Sequence, residues 1–228
     1  MLFCDSGSGR AARLAAELGG EARGNLPSLA ADADFVVLAV KPSGLVDAAA
    51  SIDGKARGIL SVLGATSVVS LREAFPATPI LRCMPTIATE LRRGVIVHAP
   101  LEAADGELGG RMLAVLGELG RLAEVDDELV DAATAVMGNS PAYIALVAEA
   151  LADAGAREGL DPTLSLALVA ETLESMAELL RVRQPGPLRR EIASPGGSTE
   201  AGLEVLERGR VADSIGQAVR AAMERMGR

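Results

Sequence analysis

The stretch Ser194-Pro195-Gly196-Gly197-Ser198-Thr199 carries the sharpest chemistry in this chain. Paired glycines let successive backbone N–H groups turn toward one point, the hydroxyls add donors, and the run from Glu200 reads as a helix whose N-terminal dipole favours an anion. This is a cradle for a carboxylate or a phosphate; the plainer alternative is a glycine turn capped by Ser or Thr ahead of a helix. Ala39-Val40-Lys41-Pro42 is a second pointed feature. There a hydrophobic strand stops at a Lys-Pro corner, where an open α/β sheet receives its ligand. Arg82-Cys83-Met84-Pro85-Thr86 repeats the arrangement at a later strand, and two such corners can line one crevice. An ordinary strand-end turn is the alternative for each.

Other candidates are weaker. His98 is the only histidine, it sits in an apolar strand context, and no nucleophile motif surrounds it, so it reads as structural. Glu171, Glu174 and Glu178 at helical spacing read as a solvated face rather than an acid/base pair. Gly7-Ser8-Gly9-Arg10-Ala11-Ala12 has the look of a dinucleotide-binding loop opening a helix. Such a loop is followed by a second strand, with an acid about 20 residues on. Residues 19–25, Gly19-Gly20-Glu21-Ala22-Arg23-Gly24-Asn25, hold no β-branched run to make that strand. Asp5 also stands before the glycines, so the stretch reads as a turn and helix start rich in small residues.

The elements that must position these residues follow from periodicity. Short β-rich runs at 2–4, 35–40, 58–63, 80–83, 94–98 and 121–125 alternate with helical stretches such as 112–119, the pattern of a mostly parallel sheet with covering helices. From about Asp126 the strands stop. The chain becomes rich in Ala, Leu and Glu, with Tyr143, Leu146, Val147, Ala150 and Leu151 at helical spacing. The chain has 228 residues, 49% of them apolar, so a substantial core is expected. Lys plus Arg is 22 against 31 for Asp plus Glu, a formal charge of −9, which argues against a nucleic-acid partner. Cys4 and Cys83 have no metal-ligand spacing and no leader precedes the fold, so no metal is expected and a reducing cytoplasm fits. The apolar runs 142–147 and 164–170 are too short to span a bilayer and read as buried helices, with no membrane partner.

These residues resemble the pyrroline-5-carboxylate reductase family, which makes proline with a nicotinamide cofactor. Residues 185–207, from Pro185-Gly186-Pro187-Leu188 through Ser194-Pro195-Gly196-Gly197-Ser198-Thr199 to Glu207, resemble the family signature along their whole length. Gly138-Asn139-Ser140-Pro141-Ala142-Tyr143, followed by Glu149-Ala150-Leu151-Ala152-Asp153-Ala154, is similar to the family's long dimer helix, and Ala39-Val40-Lys41-Pro42 to its cofactor corner. The resemblance implies an α/β fold. A Rossmann-like, mostly parallel sheet, truncated at its N-terminus, occupies residues 1–125, and an all-helical dimerisation and substrate domain occupies 126–228. It places residues 1–10 on the family's second strand and the turn after it, so that roughly 25 to 30 residues, one strand and the glycine-loop helix, are expected to be missing upstream.

The implied activity is reduction of 1-pyrroline-5-carboxylate to L-proline with NADPH or NADH. In it Gly197, Ser198 and Thr199 hold the substrate carboxylate, and Thr199 assists protonation of the ring nitrogen. Asp5 and Ser6 are implied to face the adenosine ribose, with Asn25 also at the cofactor. An acid at Asp5 favours NADH, whereas Arg10 can meet a 2′-phosphate. Ala39, Val40, Lys41 and Pro42 form the implied cofactor corner, and Met84, Pro85 and Thr86 lie beside the nicotinamide. Met84-Pro85-Thr86-Ile87-Ala88 departs from the family's Met-Pro-Asn-Thr-Pro, replacing an amide by the shorter Thr86 hydroxyl. The implied partners are a carboxylate-bearing small molecule and a second copy of the chain, in a homodimer or a higher homo-oligomer. Two alternatives stay open: a reductase-like dimeric binding or regulatory protein without full activity, and a reductase of another carboxylate-bearing imine or keto acid.

Overall fold

The computed structural model describes residues 1–52 and 54–227. Residues 1–138 form one compact unit and residues 139–224 a second.

The first unit opens with β1 (Leu2–Phe3), α1 (Arg10–Leu18), β2 (Glu21–Ala22) and α2 (Leu26–Asp32). β2 is a strand where side-chain propensity gives none. Two residues pair in parallel with β1, through Glu21 N–H to the Met1 carbonyl at 3.0 Å and Arg23 N–H to the Phe3 carbonyl at 2.7 Å. Backbone pairing alone makes it, and both its side chains are exposed. The next elements are β3 (Val36–Leu38), α3 (Leu45–Ile52), β4 (Ile59–Ser61), α4 (Val68–Ala74), β5 (Ile80–Pro85), β6 (Gly94–His98), α5 (Gly106–Gly117) and β7 (Gly120–Glu124). The strands β3 to β7 form one five-stranded sheet in sequence order, and β1 and β2 a separate two-stranded one. Within the larger sheet every pair is parallel except β5 with β6. Only the short turn Ile87–Leu91 joins those two, too little chain for a parallel crossover.

Side chains alternate across the sheet as the pleat requires. Val36, Leu38, Ile59 and Ile80 pack with Leu71 and Phe75 on one face, while Leu60, Leu81, Cys83 and Ile96 pack with Met112 and Leu116 on the other. The unit continues past Val125 through a 3-10 turn at Asp127–Leu129, α6 (Val130–Ala133) and a π-helical turn at Thr134–Gly138. Val130, fully buried, joins Val97 and Ala99 in a third cluster, which ties this segment to the sheet rather than to the helices after it.

The second unit contains α7 (Ser140–Arg157), α8 (Pro162–Val182), α9 (Pro185–Ile192), α10 (Ser198–Arg208) and, as far as Glu224, α11 (Val211–Met226). Pro141, Pro162 and Pro185 stand in the first turns of α7, α8 and α9, where a missing N–H has no helical partner to lose. Asp161 caps α8 by accepting from Leu164 N–H at 3.0 Å, which satisfies one of the free donors of the first turn. The apolar runs of α7 and α8 are not buried within the chain. Leu146 is 65% and Leu151 53% exposed, and of the described residues 139–224 only Ser165 and Leu188 are buried. The spacing is that of core helices, but the matter that would cover them is not in this unit. The stretch 127–157 is also long and apolar enough, by length and composition, to cross a membrane, with a mean hydropathy of 1.2 in its most apolar window.

Candidate functional site

Three chain segments leave the same edge of the sheet. Leu38, Ser61 and Arg82 lie side by side across β3, β4 and β5, which run parallel, so the residues after them emerge together. From β3 come Ala39, Val40, Lys41 and Pro42, all exposed, with Pro42 opening a one-turn 3-10 helix. From β5 come Met84 and Pro85, half-buried. The structure therefore brings both expected corners to one edge, the position at which open α/β sheets take their ligands.

Thr86 is placed differently. It is buried, its Oγ1 accepts from Val95 N–H at 3.0 Å, and its own N–H donates to the Val95 carbonyl at 2.9 Å. Its hydroxyl oxygen is thus engaged with β6. Residues Gly64, Ala65 and Thr66, between the other two corners at the end of β4, were not singled out by sequence reasoning. Their signal was the glycine just past an apolar strand. The structure adds that Ala65 holds φ +54°, in the left-handed region that a side chain disfavours. The Ala65 N–H donates to Asp131 Oδ1 at 3.4 Å and the Val68 N–H to Asp127 Oδ2 at 2.9 Å.

Asp5 and Ser6 follow β1. Asp5 Oδ1 accepts from Gly7 N–H at 2.6 Å and Ser8 N–H at 2.9 Å, and Oδ2 accepts from Ala11 N–H at 2.6 Å. The carboxylate thereby closes the Gly7–Gly9 turn onto the start of α1. There φ is +93° at Gly7 and +76° at Gly9, values that glycine adopts without steric cost. The hydrogen bond from Ala11, helped by those from Gly7 and Ser8, holds the Asp5 carboxyl below its ordinary value, because each favours the charged form. Ser6, Ser8 and Arg10 remain exposed on the outside of this turn. Asn25 caps α2, its Oδ1 accepting from Ser28 N–H at 2.9 Å.

His98 is buried, with Nδ1 2.9 Å from the Ala99 carbonyl oxygen, a structural placement. Among the described residues no group of His, Cys, Asp and Glu is arranged to hold a metal ion.

In the helical unit the glycine-rich segment turns as its composition dictates. Gly196 has φ +73°, the Gly197 N–H donates to the Ser194 carbonyl at 2.9 Å, and Gly197 is the N-cap of α10. The N–H groups of Ser198, Thr199 and Glu200 fall in the first turn of that helix, where no intrahelical acceptor exists. Ser198 and Thr199 are exposed. Beside them the Gly196 N–H donates to Glu200 Oε2 at 2.7 Å, so the turn already holds one carboxylate, its own.

Residues 127–228 match the pyrroline-5-carboxylate reductase dimerisation family. The chain is 34% identical over 196 residues to a pyrroline-5-carboxylate reductase of Synechocystis sp., covering 84% of this chain and 73% of that protein. The Thermus thermophilus pyrroline-5-carboxylate reductase is likewise 34% identical, over 85% of this chain and 74% of its own length. Among solved structures, the 1-pyrroline-5-carboxylate reductase of Streptococcus pyogenes superposes with a TM-score of 0.92 at 26% identity, covering 99% of this chain and 88% of that one. The Plasmodium falciparum pyrroline carboxylate reductase, solved with NADP bound, gives a TM-score of 0.89 at 25% identity over 99% and 86%.

Proposed function

The chain belongs to the pyrroline-5-carboxylate reductase family, and from that premise we propose that it reduces 1-pyrroline-5-carboxylate to L-proline with NAD(P)H. The observation that carries this reading is the turn before α10, whose Gly196 N–H holds the Glu200 carboxylate at 2.7 Å while Ser198 and Thr199, in the first turn of the helix, are exposed. Such a turn suits the carboxylate of a small amino acid or imine.

When bound, the reduced nicotinamide would supply a hydride to the imine carbon, C2 of the pyrroline ring, which becomes C5 of proline as the ring nitrogen takes up a proton. The residues of the sheet edge fit such a cofactor: Ala39 to Pro42 present exposed backbone and one cation at the carboxyl ends of parallel strands. In the helical unit, the N–H groups of Ser198 and Thr199 orient the substrate through its carboxylate, and Gly197 sets their direction as the cap. The Thr199 hydroxyl is the group that this chain offers for holding a proton at the ring nitrogen. The protein's contribution is positioning and charge neutralisation. On the cofactor side, Asp5 is committed to its own loop. That leaves Ser6, Ser8 and Arg10 to meet the adenosine end, a set that suits a 2′-phosphate better than a bare ribose diol. The exposed apolar faces of α7 and α8 suit a homodimer, and two free cysteines suit a reducing cytoplasm.

Calorimetric titration with NADPH and NADH, with and without L-proline, followed by turnover assays with the imine, tests this reading. Micromolar nucleotide binding with turnover is expected. Replacing Thr199 by Ala is expected to lower kcat/KM by one to two orders of magnitude, the range of a single positioned proton-handling group. Nucleotide binding without turnover would move the chain to the alternative of a reductase-like binding protein, a reading that the engaged Thr86 hydroxyl favours. Absence of nucleotide binding would remove the proposal.

A further inference from the structure

Arg82 lies in the middle of β5, 2% exposed, among Ile80, Leu81 and Cys83. Its Nη1 donates to Asp127 Oδ1 at 2.8 Å and to the Asp127 carbonyl at 3.1 Å, and its Nη2 donates to Asp131 Oδ1 at 2.6 Å. Its Nε is buried and has no hydrogen-bond partner. The guanidinium is buried while the Asp127 and Asp131 side chains are 22% and 29% exposed, and an ion cluster built around a buried charge is a poor source of stability, because well-packed apolar side chains of similar volume usually serve as well or better. Fixing a geometry is what it does better than they do.

The two carboxylates do not stop at Arg82. Asp127 accepts from Val68 N–H and Asp131 from Ala65 N–H, so the guanidinium, through them, grips both ends of the 65–68 backbone. That segment leaves the carboxyl end of β4, between the β3 corner at Lys41 and the β5 corner at Pro85. Ala65 is held there at φ +54°, a conformation that a non-glycine residue keeps only when its surroundings impose it. Two restraints meet at this point, the Thr66 Oγ1 bond to the Gly64 carbonyl at 3.1 Å and the Asp131 carboxylate, and Arg82 orients that carboxylate.

We propose that Arg82 is a positioning residue: acting through Asp127 and Asp131, it fixes the backbone of residues 64–68 as the middle wall of the cofactor crevice. This role rests on the cofactor placement proposed above. Misplacing backbone by about an ångström at such a site costs up to about a hundredfold.

The test uses Arg82→Lys, which keeps the charge but loses the two-pronged fork, and Asp131→Asn, which keeps an acceptor but loses the charge. In each variant of the 228-residue chain, the dissociation constants for NADPH and NADH are measured by calorimetry, the KM for imine by steady-state kinetics, and amide exchange at residues 64–68 by mass spectrometry. Arg82→Lys is expected to exchange faster at these amides and to weaken nucleotide binding by roughly ten- to a hundredfold. The KM for imine should stay within about twofold, since uniform damage would move both constants. Asp131→Asn is expected to act in the same direction to a smaller degree, and it decides the matter if Arg82→Lys does not fold. A lowered Tm with wild-type nucleotide affinity would mean a merely structural role and would overturn the inference. Wild-type protein that binds nucleotide without reducing the imine would sink the proposed reaction, while the variants' affinities would still decide this one. Wild-type protein that binds neither nucleotide overturns both.

Discussion

Asp5 illustrates how one side chain can be claimed by its own loop. Its type and its place at a strand end suit a ribose diol, yet three N–H groups within six residues occupy both its oxygens. These bonds, led by the one from Ala11, hold its pKa below the ordinary 3.8. Asp5 therefore stabilises the fold at pH values above its ordinary value, and this contribution is lost as pH falls through the lowered folded value. Acid unfolding followed by circular dichroism should show a shallower loss below about pH 4 for Asp5→Asn than for wild type. That variant should also weaken the start of α1 at neutral pH. The same residue-scale logic separates the two cysteines. Burial pushes the Cys83 thiol up to about 12, whereas Cys4 is only half-buried. At neutral pH Cys83 therefore holds essentially no thiolate, the reactive form. A thiol reagent added to native protein at pH 8 should modify at most one equivalent, at Cys4, with the second appearing only on denaturation. Two equivalents under native conditions would contradict the burial.

At the scale of elements, two close approaches depend on the lack of a side chain. A Cβ on Gly120 would stand 2.1 Å from the Gly94 carbonyl oxygen, in the ladder that joins β6 to β7. Gly120→Ala must push the two strands apart, and a loss on the order of 2 kcal/mol is expected in denaturant titration. Gly110→Ala, which meets open space, is the control. Between α7 and α8, a Cβ on Gly155 would stand 2.3 Å from Ser165 Oγ, which donates to the Ala152 carbonyl at 2.8 Å. Neither glycine announces its role in the sequence, because the residue it meets is far along the chain in one case and across a turn in the other. Strand existence was legible from β-branched runs such as Phe35-Val36-Val37-Leu38. The pair Glu21–Ala22 was not, because its strand character comes from Met1 and Phe3 backbone groups rather than from its own side chains. The antiparallel pairing of β6, in contrast, is dictated by how few residues separate it from β5.

For the whole molecule, the helical unit raises the question of what covers it. Ile144, Leu146, Val147, Leu151, Leu164, Leu166 and Leu168 are each about half exposed or more, and so much exposed apolar surface on two helices marks an interaction site. The match of residues 127–228 to a dimerisation family accounts for that face as a contact between copies of the chain, which also accounts for the apolar character of 127–157. In the proposed dimer, Tm should rise with protein concentration, and Leu146→Asp should shift sedimentation toward monomer while lowering Tm, because it places a charge in the interface. Concentration-independent melting of a monomer would contradict this assembly. Periodicity by itself determined the strands that lie in β-rich runs, all but β2, the change to helix after Asp126, and the turn chemistry of residues 194–199, because these depend on residues near one another in the chain. Only the tertiary structure decided that the Lys41 and Pro85 corners share an edge with Gly64 to Thr66, that Thr86 faces β6, and that a buried Arg82 reaches Asp127 and Asp131. The physical reason is distance in sequence: a hydrogen bond between residues 82 and 131 leaves no trace in local spacing. Whether an apolar helix face is buried likewise depends on what packs against it, and its own periodicity reads the same in either case.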